Sequence, residues 1–149
     1  MVPGATKTGL AKNTSWKVVL PFYLYAGLSL LAATIILVFS TPAFLQHYFH
    51  PRTLAITHLM ALGWGTMMIL GASHQLVPVL IEGKLYSNAL AYLSFVFAGI
   101  GIPLLIFGFY TFDFGWPAQY GAILINAAIL FYLVNIVVSM VKSKHENVH

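Results

Sequence analysis

The apolar positions of the chain gather into four long runs, and most polar residues fall before, between and after them. The first run extends from Val18 to about Ser40, long enough as a helix to cross ~30 Å of hydrocarbon and too long for the core of a cleaved leader. Ser40, Thr41 and Pro42 are expected to end it, and Pro51 suits the start of the next helix, where its missing N–H is not needed. The second run covers about Thr53 to Leu80, with Pro78 near its end and Glu82-Gly83-Lys84 as a turn. A third covers about Ser87 to Tyr110 and carries Gly99, Gly101 and Pro103, which predict a kink. The fourth runs from about Pro117 to Val141 and is followed by a polar tail. The pattern predicts an all-α integral membrane protein: a four-helix bundle forming a single transmembrane domain over residues 1–149.

Composition says which solvent surrounds these helices. Hydrophobic residues make up 60% of the chain and charged ones 7%, against roughly a quarter charged in water-soluble domains. That is too little polar surface to coat a soluble globule. There is no cysteine, so disulfides, thiolate metal sites and iron–sulfur clusters are excluded. The formal charge of +4 does not point to nucleic acid, because the seven basic residues are scattered beside span ends. Lys7, Lys12, Lys17, Lys84, Lys142 and Lys144 fall on one side and Arg52 alone on the other, which predicts cytoplasmic N- and C-termini. Tyr48, Tyr110 and Trp116 then stand as interfacial aromatics at the outer side, near Asp113.

The second run is the one that carries histidines inside it, His58 in its outer third and His74 in its inner third. An ionisable group within a membrane span is costly and is by default a functional hypothesis. On an unbroken α-helix these two stand about 24 Å apart on nearly opposite faces, so they cannot share one ion. His58 shares its face with Ala61, Leu62, Gly65, Ile69 and Ala72. Such a row of small side chains lets another helix approach closely or leaves a flat groove for a planar ligand such as haem. His58 is thus either a haem ligand or a neutral histidine hydrogen-bonded to a neighbouring helix. His74 shares its face with Met60, Met67, Gly71 and Pro78 near the inner boundary, where it is expected to reach interfacial water and to act in packing or hydrogen bonding, with metal ligation as the alternative. His47 and His50 form an HxxH pair, a spacing that can seat a divalent ion, although it lacks a third ligand. Met67 and Met68 read as packing residues, and Asn126 and Asn135 as groups that hydrogen-bond across helices.

The stretch Arg52–Leu80, RTLAITHLMALGWGTMMILGASHQLVPVL, resembles the second transmembrane helix of the haem-copper oxidase catalytic subunit I superfamily, in particular its cbb3-type and nitric-oxide-reductase-like branches. The matching features are the outer arginine, then THL, then a small-residue and LGW segment, then LGA-x-x-Q-L-x-P. The resemblance implies that His58 ligates a low-spin haem iron near the outer surface, in agreement with the orientation read from the basic residues. It covers one helix well and the others only by pattern. The family carries its second low-spin ligand, its high-spin haem ligand and its copper histidines on later helices, and the third and fourth spans here hold no histidine. The chain therefore looks like a single four-helix arc, unable as a monomer to build the family's oxygen-reducing centre.

These readings combine into a membrane b-type cytochrome of the prokaryotic cytoplasmic (inner) membrane. A low-spin haem b wants two axial ligands, and a homo-oligomer supplies the second by presenting His58 again: a dimer closes the ligand count, and a trimer of arcs is the other arrangement. Ala61 and Gly65 then give the porphyrin room, Trp64 packs on it, and Arg52 meets a propionate or anchors the helix at the interface. Function is electron transfer with a respiratory donor or acceptor, or gas binding. The alternatives are a non-haem accessory or assembly subunit of a larger respiratory oxidase, and a metal-handling transporter using His47, His50 and His58. The near absence of carboxylates in the spans argues against transport.

Overall fold

A computed structural model describes residues 13–146. It contains four helices, α1 (Trp16–Phe44), α2 (Pro51–Leu80), α3 (Asn88–Thr111) and α4 (Trp116–Glu146), each long and apolar enough to cross a membrane, and no strand among the described residues. Lys7, Lys12 and His149 lie outside the described residues, as do the side chains of residues 144–146. The helices enclose a core to which each gives two residues: Phe22 and Ala26, Met67 and Leu70, Ala98 and Ile102, Ile125 and Ala128.

The closest crossing is between α3 and α4. A methyl group added at Gly121 would lie 2.6 Å from the Leu105 amide nitrogen, and one at Gly101 would lie 2.9 Å from the Gly121 carbonyl oxygen, so backbone meets backbone there. This is the small-residue contact by which helices pack in lipid, where no hydrophobic effect drives them together. At one end of the bundle, Asn135 of α4 clamps Ser87: its Oδ1 accepts from the Ser87 N–H (2.9 Å) and its Nδ2 donates to the Ser87 carbonyl (2.8 Å). Ser139 accepts from the Tyr86 N–H (2.8 Å) and Ser143 donates to the Ile81 carbonyl, tying the α2–α3 turn to the same helix. Asn135 therefore bonds across helices as expected, whereas Asn126 donates to Ala122 of its own helix (2.8 Å) and faces outward. Lys84 belongs to the α2–α3 turn and Lys142 lies over the Tyr86 ring at 4.4 Å, while Arg52 sits at the opposite end with the α1–α2 and α3–α4 connections.

Four prolines lie inside helices, Pro21, Pro42, Pro78 and Pro103, and each removes the hydrogen bond to the carbonyl four residues back. In lipid that carbonyl needs another partner, and for Pro42, Pro78 and Pro103 a hydroxyl supplies it. Pro42 frees the Val38 carbonyl, which accepts from Thr41 Oγ1 (3.3 Å). Pro78 frees His74, whose carbonyl accepts from Thr14 Oγ1 (2.6 Å). Pro103 frees Gly99, whose carbonyl accepts from Tyr25 Oη of α1 (3.0 Å). The first pairing explains why α1 does not stop at Ser40–Pro42 as the sequence predicts but continues to Phe44. At the other boundaries the helices run one to five residues beyond the apolar runs or within one residue of them, because polar caps such as Ser15 and Ser87 can be helical neighbours without being apolar.

A second departure lies inside α2. Residues Leu59–Thr66 form a π-helical stretch with bonds to the fifth residue, between α-helical parts Pro51–His58 and Met67–Leu80. The Thr66 hydroxyl donates to the Ala61 carbonyl five residues back (3.1 Å). Gly63 lets the wide turn press on α1: a methyl group there would stand 2.6 Å from Ser29 Oγ. Such turns are rare and recur at functional sites. Because a π turn advances less per residue than an α turn, the face relationships read from α-helix spacing do not carry across residues 59–66.

Candidate functional site

His58 is the last residue of α2 before its geometry changes. Its Nδ1 lies 2.8 Å from the Leu54 carbonyl oxygen. A carbonyl only accepts, so Nδ1 carries the proton and Nε2 keeps its lone pair, the tautomer in which histidine binds a metal. The ring is half-buried and packs on Phe109 of α3 with centroids 4.2 Å apart, which restricts its plane. Nε2 has no hydrogen-bond partner among the described residues and is not sealed from the surface.

The small residues that follow it on α2 divide into two kinds. Gly63 and Gly71 are buried and needed by this chain, since a methyl group at Gly71 would meet Phe22 Cβ at 2.8 Å. Gly65 is not: a methyl group there meets nothing nearer than the Met60 carbonyl at 3.5 Å, an ordinary contact. Ala61 is exposed and Trp64 is 39% exposed. Ala61 and Trp64 are thus open to the surface, and nothing in the described chain requires Gly65 to be a glycine.

His74 has the same local chemistry in the opposite setting. Its Nδ1 donates to the Leu70 carbonyl (2.7 Å), again leaving Nε2 with the lone pair. The residue is 0% exposed, stacked on Phe22 (5.3 Å) and edge-on to Tyr132 (5.4 Å), and Nε2 has no partner among the described residues. The expected contact with interfacial water is therefore absent: Phe22 and Tyr132, from α1 and α4, close over a ring that lies on the core side of α2. His74 and His58 share no aromatic neighbour, so the chain does not bring them to one site. Met67 is fully buried in the core, as a packing residue should be, and Met68 is exposed.

His47 and His50 each use Nδ1 to accept from a backbone N–H two residues on. His47 Nδ1 accepts from the Phe49 N–H (3.1 Å), and His50 Nδ1, as the N-cap of α2, accepts from the Arg52 N–H (3.3 Å). In each neutral ring the proton is then on Nε2, which turns it into a donor. No group of three or more metal-ligating His, Cys, Asp or Glu occurs among the described residues. Arg52 lines a groove with α1 residues and Tyr110, and His58 is not part of that groove.

Phe109, Phe22 and Tyr132 complete these two surroundings, and nothing in the sequence singled them out, since each is one apolar residue in an apolar run on another helix. Compared with protein-family models, with curated proteins and with solved structures, the chain matches none.

Proposed function

We propose that this chain is a b-type haem protein of the prokaryotic cytoplasmic membrane, with His58 as axial ligand and a second copy of the chain supplying the other. The observation that carries the reading is the state of His58: its proton is fixed on Nδ1 by the Leu54 carbonyl, and Nε2 is left unpartnered and accessible. Phe109 packs on the ring and the Leu54 carbonyl fixes its tautomer. Trp64, partly exposed on the same stretch, provides an aromatic wall. Haem bound there supplies a one-electron redox centre, or a gas-binding position where an axial site stays open. His74 cannot serve as the second ligand from the same chain, since Phe22 and Tyr132 enclose it. A closed homodimer with one haem between two copies of His58 satisfies the ligand count. Lys17, Lys84 and Lys142 orient both termini toward the cytoplasm, leaving His58 near the outer face for a respiratory donor or acceptor.

The Ala61–Gly65 face equally fits a helix of a larger oxidase, in an accessory subunit without haem. An absorption spectrum with haem-to-protein stoichiometry separates the two. The expected result is a Soret band and a sharp reduced α-band at half a haem per chain, lost in His58→Ala and kept in His74→Leu. A folded, colourless protein expressed with ample haem rules the haem reading out in favour of the accessory subunit.

A further inference from the structure

At the Arg52 end, a lateral groove of about 490 Å³ opens between α1 and the end of α3, lined by Ile35, Ile36, Phe39, Ser40, Arg52 and Tyr110. Its wall has two halves of different chemistry. Ile35, Ile36 and Phe39 are hydrocarbon, while Arg52, Ser40 and Tyr110 offer a guanidinium and two hydroxyls.

Ser40 shows that the polar half is unsatisfied. The residue is 3% exposed, yet its hydroxyl makes no hydrogen bond among the described residues, whereas Thr34 and Thr41 on the same helix both turn back onto helix carbonyls. Ser40 Oγ is also not among the sealed, unpartnered atoms, so the part of Ser40 that stays accessible is the hydroxyl itself, facing the groove. Arg52 presents five donors and no acceptor, and no carboxylate lines the groove. Asp113, the acid in the connection at this end, directs Oδ1 to the Gly115 N–H (2.8 Å).

We propose that this groove seats the headgroup of an anionic phospholipid from the surrounding bilayer. The phosphate sits on Arg52, the Ser40 and Tyr110 hydroxyls donate to its oxygens, and the first acyl methylenes run along Ile35, Ile36 and Phe39. Guanidinium and phosphate match in geometry as well as charge. The hydrocarbon half of the wall and the lateral opening select a lipid over a soluble anion. Arg52 is the basic residue of its side, so the site is specific rather than a general attraction of a polybasic surface. The inference does not rest on haem, since His58 lies outside the groove.

Native mass spectrometry of the full chain in neutral detergent, titrated with phosphatidylglycerol and with phosphatidylcholine, tests it. The expected preference for phosphatidylglycerol is roughly five- to tenfold. It should vanish in Arg52→Gln, weaken in Ser40→Ala, and persist in Lys84→Gln, with folding followed by circular dichroism. A preference absent from the wild type, or undiminished in both Arg52→Gln and Ser40→Ala, overturns the proposal. Displacement of the lipid by inorganic phosphate alone overturns it in favour of a soluble-anion site.

Discussion

His58 and His74 each donate Nδ1–H to the carbonyl of the preceding helical turn, and each therefore holds a free Nε2 lone pair. What differs is where that lone pair ends. At His58 it is accessible on the side of the bundle, and at His74 it is enclosed by Phe22 and Tyr132. An unmet buried acceptor costs about 1–3 kcal/mol. The Leu70 carbonyl keeps its backbone partner when the side chain is changed, because His74 lies within a regular α-helical stretch. His74→Leu is accordingly expected to unfold no more easily than the wild type, and to gain about 1 kcal/mol, in denaturation by sodium dodecyl sulfate from mixed micelles. A clear loss of stability would show that Nε2 has a bound partner in the membrane.

For the helices, the recurrent device is the hydroxyl that replaces a proline's missing N–H. Tyr25 is the case that joins two helices, because its Oη reaches the Gly99 carbonyl that Pro103 leaves free. Removing that hydroxyl in Tyr25→Phe is expected to cost about 1 kcal/mol, the scale of interhelical hydrogen bonds in lipid. In a Pro103→Ala background the cost should disappear, since residue 103 then offers its own N–H to Gly99. A double-mutant cycle measures this coupling directly, and equal losses in the two backgrounds would show that Tyr25 acts by packing alone. The π stretch of α2 is the other decision taken at this scale. It sits where Gly63 admits Ser29 of α1.

Across the whole molecule, the four-helix arrangement collects Lys17, Lys84 and Lys142 at one end and Arg52 at the other, together with the two connections rich in aromatic residues. Phe49, Phe112 and Phe114 pack against one another there, and Phe112 is held at φ 55°, a left-handed conformation that ends α3. The natural chain has no cysteine, so single cysteines report sidedness cleanly. In intact cells, Asp113→Cys is expected to react with a membrane-impermeant maleimide, and Lys84→Cys only after permeabilisation. The reverse pattern would invert the bundle, moving His58 and the Arg52 groove to the cytoplasmic side.

The four spans, the absence of thiolate chemistry and the two intramembrane histidines were all legible from residue order, because hydropathy is nearly additive along a chain and lipid penalises every exception to it. Even the His58 tautomer is a local matter, set by a carbonyl one turn away. Other features depended on contacts between residues far apart: Tyr25 and Gly99 are separated by 74 positions, Asn135 and Ser87 by 48. Only packing decided that Asn135 bridges helices while Asn126 bonds within its own, that Gly63 is needed and Gly65 is not, and that Ser40 faces a groove with Arg52. It also decided that His74 is enclosed rather than wet. Spacing on an ideal α-helix could not reveal this, because the π turn resets the phase of α2 and the residues that cover the ring belong to α1 and α4.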